Sequence, residues 1–387
     1  MSEIRIAAVE AYAFRVPIAE PIKVAFGTFR DRPAVYVRLI DEDGTEGWGE
    51  AWCNWPAVGA EHRARLAADL GERLIGQTFA EPGDVFRTLE RDLEVLVLQT
   101  GEIGPIAQAL AGIDIAVWDL AARKRELPLY RMLGAGPVET VPVYVTGINP
   151  DAPEHFAVAK QAEGHRAFKL KIGFGPDLDR RNIEALRATL DRAAILAVDA
   201  NQALTLEPAL SLCREVAGFG LHWLEEPLRV DAPKADWQRL AASAPMRLAG
   251  GENLRGPELD AAAADPILQV IQPDMTKWGG FTGNLPIGRG AVARGKSFCP
   301  HVFGAGIALI ASLHLLAAAG GDGLLEFDCH PNAARELVVG ALLPVREGRV
   351  PVPQSPGLGT TPDLGRLRHY QTWPVLGSGP FTRLDAV

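Results

Sequence analysis

Three acidic residues recur at nearly one interval, and each closes a short apolar run. They are Asp199 in Ile195-Leu-Ala-Val-Asp-Ala-Asn201, Glu225 in His222-Trp-Leu-Glu-Glu-Pro227 and Glu252 in Leu248-Ala-Gly-Gly-Glu-Asn253. Successive acids stand 26 and 27 residues apart. That is about the length of one strand plus one crossover helix in a parallel α/β unit. On neighbouring strands the three carboxylates would share one height, at the strands' C-terminal ends. Three buried anions cannot share a small space without a cation. A hard divalent metal held by oxygen ligands is the economical choice.

Other chemistry falls in the same phase. Phe168-Lys-Leu-Lys-Ile-Gly173 sets Lys169 and Lys171 two apart on a strand, hence on one face. Mutual repulsion and burial would both lower a lysine pKa, which suits a general base. Taken alone, such a pair is more often a surface feature. Asp274 closes Ile271-Gln-Pro-Asp274, and His301 closes Phe298-Cys-Pro-His301, 27 residues later. A carboxylate beside an imidazole fixes its tautomer and raises its basicity. A lone buried histidine would be read as structural, but the phase with the acids favours a dyad. Asn201, two residues past Asp199, could support the metal ligands. Glu226 follows Glu225, so strand alternation turns it away, toward an outer or interstrand partner. Glu326, in Leu324-Leu-Glu-Phe-Asp328, could hydrogen-bond a substrate oxygen at the same mouth. Lys277 either faces the site or is a solvated loop lysine, with the loop slightly favoured. His314 lies within apolar helical periodicity and reads as structural. Asp328 and His330 fall at the rim.

The elements that must position these groups follow from pattern. Residues 4–17 and 34–51 read as strands, the second holding a hairpin turn at Asp43-Gly44. Helices follow near 60–76, 83–98 and 104–124, which describes an α+β domain. From about residue 140, strands and helices alternate. Candidate strands are 141–147, 167–173, 195–201, 221–227, 247–253, 267–274, 297–303 and 324–328, which is the pattern of a (β/α)8-type barrel. A doubly wound sheet is the rival, but its glycine fingerprint is at best partial in Gly173-Phe-Gly175 and Gly304-Ala-Gly306. The division expected is 1–130 as a capping domain, 131–355 as the barrel, and 356–387 as a segment packing back on the cap. Loops near 18–32 and 51–57 would close the barrel mouth. Arg30 and Arg32 could meet a second substrate carboxylate there, although solvated loop arginines are commoner. Trp52 and Trp55 could shape the pocket.

The chain has 387 residues, enough for a large barrel plus an addition. A net charge of −9 without clustered Lys and Arg argues against a nucleic-acid partner. The longest apolar stretch, 306–320, is short for a membrane span and contains Ser312 and His314. The start lacks a signal-peptide core, so a cytoplasmic location is the default expectation. The four cysteines are scattered, without a CxxC pair, which signals neither disulfides nor a zinc site.

Taken together, these residues resemble the enolase superfamily and, within it, the mandelate racemase-like group. The resemblance covers nearly the whole chain. Gly47-Trp-Gly-Glu50 is similar to the N-terminal hairpin signature, Gly112-Ile-Asp-Ile-Ala-Val-Trp-Asp-Leu120 to the capping-domain helix, and Lys169-Leu-Lys171 to the second-strand base motif. Asp199, Glu225 and Glu252 match the magnesium ligands, Asp274 and His301 the dyad, and Glu326 the glutamate that contacts the substrate carboxylate. Muconate-lactonizing members carry lysine where this chain has Asp274, which argues against that branch. Pro300-His-Val-Phe-Gly-Ala-Gly306 and Leu325-Glu-Phe-Asp328 resemble sugar-diacid dehydratases and galactarolactone cycloisomerases.

The resemblance implies an enolase-type modified barrel with an α+β cap completed by the C-terminal tail. It also implies Mg²⁺-dependent removal of the proton α to a carboxylate through an ene-diolate. That pairing of a Lys or His base with Mg²⁺ is the established superfamily pattern. The catalytic set is then Lys169, Lys171, Asp274, His301 and Glu326, and the metal set Asp199, Glu225 and Glu252. Asn201, Arg30, Trp52 and Lys277 are candidate substrate contacts. Dehydration of a sugar acid to a 2-keto-3-deoxy acid is the favoured outcome. Racemisation of a 2-hydroxy acid and cycloisomerisation of a sugar-acid lactone are the alternatives. A non-catalytic barrel that binds a sugar acid is a different class, and such a binder has no need of two proton-transfer groups. The expected partner is a small sugar acid or its lactone, and the chain is expected to form a homo-oligomer.

Overall fold

The N-terminal residues form an antiparallel sheet because their apolar positions alternate around tight turns. The computed structural model describes residues 3–372 and 376–378. Strand β1 (Ile4–Val24) pairs with β2 (Gly27–Asp41), and β2 with β3 (Glu46–Ala51). Gly44 turns the second hairpin with φ +83°, a conformation glycine adopts without strain. The strand Leu376–Ser378 adds to the free edge of β1, so the C-terminal tail completes the sheet. Residues 18–32, expected as loops, are instead the far end of the β1–β2 hairpin. A register shift between Pro17 and Ile22 bends this arm without ending it. The arm carries its own apolar cluster of Ile22, Val24 and Phe29, which packs on the barrel residue Phe303.

Three helices pack on this sheet: α1 (Gly59–Gly71), α2 (Pro82–Thr100) and α3 (Ile103–Lys124). By length and apolarity α3 could cross a membrane, but most of it is buried within the protein. The two glycines of the Gly47-Trp-Gly-Glu50 stretch have a packing reason. A Cβ on Gly49 would lie 1.9 Å from the Gly112 carbonyl oxygen, and one on Gly47 2.1 Å from that of Ala116. Only glycine lets helix backbone approach strand backbone so closely.

Eight parallel strands with intervening helices form the rest: Thr140–Ile148, Ala167–Lys171, Ile195–Asp199, Trp223–Glu225, Arg247–Gly250, Val270–Ile271, Ser297–Phe298 and Leu325–Asp328. They pair in the spatial order seven, six, five, four, three, two, one, eight. Among the described residues no backbone ladder joins strand seven to strand eight. Side chains span that seam, as where Leu324 N donates to Cys299 Sγ at 3.3 Å. The strands are shorter than the sequence suggests. Asn201, Gln202 and Glu226 take positive φ, and so does Gly251, so each chain leaves its ladder just beyond the acid or just before it.

Two carboxylates dock the cap on the barrel mouth. Asp114 of α3 accepts from Phe281 N at 2.7 Å and from Thr282 N at 3.0 Å, and from Thr282 Oγ1 at 2.5 Å. Glu50 accepts from Ala305 N at 2.6 Å and Ala308 N at 2.7 Å. These amides begin the helices after strands six and seven, where unpaired N–H groups and the helix dipole favour an anion. Burial pushes both carboxyls up to about 7, against the pull of the donated hydrogen bonds. Asp114→Ala is expected to cost about 2–4 kcal/mol, since it leaves buried amides without an acceptor. The midpoint of urea unfolding checks this, and Asp114→Asn should recover part of the loss.

Candidate active site

Register brings the chemistry together. Lys171 on the second barrel strand pairs with Asp199 on the third, and Asp199 pairs with Glu225 on the fourth. Their side chains therefore meet at one level inside the barrel. Glu252 lies two residues past strand five, while Asp274 and His301 each lie three residues past strands six and seven. These three thus sit on the βα loops and not on strands, still at the C-terminal face where such barrels place their sites.

A polar web joins them. Lys169 is fully buried, with Nζ 2.6 Å from Glu225 Oε1, 3.0 Å from Glu326 Oε1 and 3.6 Å from Asp199 Oδ2. Lys171 Nζ contacts Asp199 Oδ2. Glu225 Oε2 also accepts from Gln272 Nε2 at 2.7 Å and Trp223 Nε1 at 3.2 Å. His301 Nδ1 lies 2.8 Å from Asp274 Oδ2, and its Nε2 2.5 Å from Glu252 Oε2. Asp274 is itself held by Thr276, whose N and Oγ1 both donate to Oδ1. Lys277 Nζ reaches Glu252 Oε1 at 3.3 Å and lies 5.1 Å from the Trp52 ring centre.

The charges follow from these contacts. Burial alone would lower the Lys169 pKa, but Glu225, Glu326 and Asp199 outweigh it and hold Lys169 well above the ordinary lysine value. The sequence expectation of a lowered pKa therefore fails for Lys169, because its neighbours are carboxylates as well as a second lysine. Burial also opposes charge on His301, yet Glu252, Glu326 and Asp274 hold its pKa up at about 10. Burial and the neighbouring Asp199 push Glu225 up to about 7. Glu326 is lowered, because Lys169, His301 and Lys171 overcome its burial. A protonated Glu326 donating to substrate is not what this environment favours.

A cavity of about 460 Å³ opens above the web, a size suited to a small molecule. Lys171, Asn201, Glu252, Lys277, His301 and Trp52 all line it. Asp199, Glu225, Lys169 and Glu326 are buried outside its lining. Lys277 thus faces the site and is not a solvated loop lysine. Arg30 is exposed and outside the lining of this cavity. Arg32 is buried in an ion pair with Asp328 at 2.7 Å, which ties the hairpin arm to strand eight. Glu226 was expected to face away. It lines the cavity, because its φ of +38° breaks the strand alternation, and Asn253 Nδ2 donates to both its oxygens at 3.0 Å. Sequence reasoning did not single out Gln108, Gln202, Asn253 or Arg255, which also line the cavity. Their polar types inside βα loops, and on an apolar cap helix for Gln108, were the available signal.

The donor chemistry suits a hard divalent cation. Asp199, Glu225 and Glu252 offer only oxygens, and Asn201 Oδ1 is buried without a hydrogen-bond partner beside Asp199. Among the described residues no three His, Cys, Asp or Glu side chains already converge as a metal cluster. Lysine and histidine nitrogens neutralise the carboxylates in their place.

Comparison with known proteins agrees with the architecture. Residues 7–134 match the mandelate racemase/muconate lactonizing enzyme N-terminal domain, and residues 153–366 match the enolase C-terminal domain-like family. The chain belongs to the mandelate racemase group of the enolase superfamily. It is 32% identical to D-galactarolactone cycloisomerase of Agrobacterium fabrum, over 95% of this chain and 99% of that one. A mandelate racemase/muconate lactonizing enzyme structure from Bordetella bronchiseptica RB50 is 48% identical, covers 95% of this chain and all of its own, and superposes with a TM-score of 0.90. A racemase from Streptomyces coelicolor A3(2) with bound magnesium is 27% identical and covers 95% and 99%, with a TM-score of 0.83. Further relatives in the group are named as dehydratases, cycloisomerases and epimerases. This member is accordingly an enzyme of lyase or isomerase type, and its fold is that of the superfamily.

Proposed function

We propose that this enzyme removes the proton α to the carboxylate of a hydroxylated sugar acid and expels the β-hydroxyl, giving a 2-keto-3-deoxy acid. The observation that carries this reading is the pair Lys171 and His301. They come from the second strand and from the loop that follows the seventh, line one cavity, and are each fixed by a carboxylate. Two proton-transfer groups around one small-molecule cavity suit abstraction at one atom and delivery at another.

Asp199, Glu225 and Glu252, with Asn201 beside them, would hold Mg²⁺. A divalent ion there acts as a Lewis acid on the substrate carboxylate, where negative charge grows as the proton leaves. The remaining work belongs to this chain's own side chains. Lys171, in its neutral form, takes the α-proton. The His301 imidazolium gives its Nε2 proton to the departing hydroxyl, which leaves as water. Asp274 keeps the Nδ1 proton in place, so that Nε2 is the nitrogen that exchanges. Lys169 and Glu326 serve beneath the cavity, neutralising each other and Glu225.

A cycloisomerase reading also has support, since the cycloisomerase relative aligns over nearly both full chains. In that case the same acid and base act on a lactone, and the ring oxygen leaves in place of hydroxide. Racemisation would use Lys171 and His301 on opposite faces of one carbon and make no keto acid. The deciding experiment incubates sugar acids and their lactones with enzyme and Mg²⁺ in D₂O under NMR. Loss of the α-proton with a new methylene signal is the expected outcome. Exchange with an epimer and no keto acid, across substrates with good leaving groups, would select the racemase. Methylene product from lactones alone would select the cycloisomerase.

A further inference from the structure

Among the cations lining the cavity, one stands apart. Lys171 contacts Asp199, Lys277 contacts Glu252, and His301 sits between Asp274 and Glu252. Arg255 lines the same cavity, and among the described residues its guanidinium makes no hydrogen bond or ion pair. It lies three residues past Glu252, just before the helix Gly256–Ala264, and is half-buried. Its guanidinium carries five donors and no acceptor, so it is available to an anionic group that enters the cavity.

A second donor faces it from the cap. Gln108 of α3 is buried, and its Oε1 accepts from Arg63 Nε at 2.7 Å. Arg63 is buried too, and is held by the Trp55 carbonyl at 3.2 Å. The amide orientation of Gln108 is therefore set, and its Nε2 donors are turned away from Arg63. Gly104 shows where they go. A Cβ placed on it would lie 3.4 Å from Arg255 Nη1 and 3.9 Å from Gln108 Nε2. Two donor groups, one charged, thus both lie within 4 Å of one point beside Gly104, a residue with no side chain of its own. One comes from the barrel and one from the cap.

We infer that Arg255 and Gln108 bind a second carboxylate at the far end of the substrate, so that the enzyme is selective for sugar diacids and for lactones that keep a free carboxylate. This deepens the reading above and rests on it, since the first carboxylate is the one beside Lys171 and His301. A planar fork of N–H donors matches a carboxylate in two-point fashion, which a hydroxyl-terminated monoacid cannot satisfy. Because Gln108 belongs to the cap, a diacid also bridges cap and barrel, while a monoacid leaves Arg255 to water. The site thereby favours the diacid through a charge-assisted contact that the monoacid cannot make.

The test compares wild type with Arg255→Met and Arg255→Lys on matched diacids and monoacids of equal chain length. Wild type is expected to favour diacids in kcat/KM. Arg255→Met should lower the diacid-to-monoacid ratio at least about 30-fold, mainly through KM, as a lost charge-assisted pair requires. Arg255→Lys should recover part of that ratio, since it keeps charge without the fork. Calorimetry with the unreactive dicarboxylates glutarate and adipate against pentanoate gives a readout that needs no turnover. Dicarboxylate binding that disappears in Arg255→Met supports the inference even if no sugar acid exchanges its α-proton, an outcome that would sink the proposed reaction alone. Equal use of monoacids by wild type, an equal loss on both classes in Arg255→Met, or preference for a terminal phosphate ester over a carboxylate would each overturn it.

Discussion

Dialysis against a chelator is expected to lower turnover at least about 10³-fold, and added Mg²⁺ alone to restore it. The size follows from the several kcal/mol of charge stabilisation that a Lewis acid gives to a developing dianion. The expectation rests on the oxygen-only donor set of Asp199, Glu225 and Glu252 and on the unpartnered Asn201 Oδ1. Lys169, Lys171 and His301 balance those carboxylates, so the fold does not require the ion for its own neutrality. The two effects should therefore separate, with activity lost on chelation while the unfolding midpoint moves little. Mg²⁺ should still raise that midpoint in a concentration-dependent way, as any ligand of the native state does. Glu252→Gln should shift the rise to much higher Mg²⁺ concentration and lower turnover with it, because it removes one of three charges that attract the ion. Full activity in excess chelator would remove the metal from the mechanism.

The sequence made the barrel legible because its signals repeat. A run ending in an acid every 26 or 27 residues specifies strand, crossover and level together, and the register of Lys171, Asp199 and Glu225 follows that pattern. The cap sheet was legible too, apart from its reach. Residues 18–32 were expected as a loop, yet the strand runs on through them with a register shift between Pro17 and Ile22, and its apolar end is held by contact with Phe303. No local pattern contains that long-range contact. Glu226 misled for a different reason. The period of two applies only while the chain stays in the ladder, and positive φ at Glu226 ends it. Arg255 and Gln108 gave almost no signal, since their meaning lies in two elements converging at Gly104. Charge states were the least legible. A lysine pair suggests mutual repulsion, whereas the structure surrounds Lys169 with three carboxylates contributed by strands three, four and eight.

Lys171→Ala and His301→Asn should each reduce turnover by at least about 10²-fold, the lower end for lost proton-transfer catalysis, but they should fail at different steps. In the dehydration reading Lys171 breaks the α C–H bond, so Lys171→Ala should lose α-proton exchange with D₂O and keto product together. His301 assists the leaving hydroxyl, so His301→Asn should lose product while exchange at the α-carbon persists. Asparagine retains a polar group near Asp274 and Glu252, which limits the structural change. Lys171→Ala removes the ammonium from a fully buried Asp199, so its circular dichroism and unfolding midpoint must be compared with wild type before the kinetics are read. Addition of Mg²⁺ should offset part of any such destabilisation, since it supplies positive charge to the same carboxylate. A racemase would behave otherwise, with each variant exchanging the proton of only one epimer and neither forming keto acid. Wild-type turnover in either variant would exclude that residue from the chemistry. Loss of exchange in His301→Asn with exchange retained in Lys171→Ala would reverse the two roles, making His301 the base and Lys171 the acid.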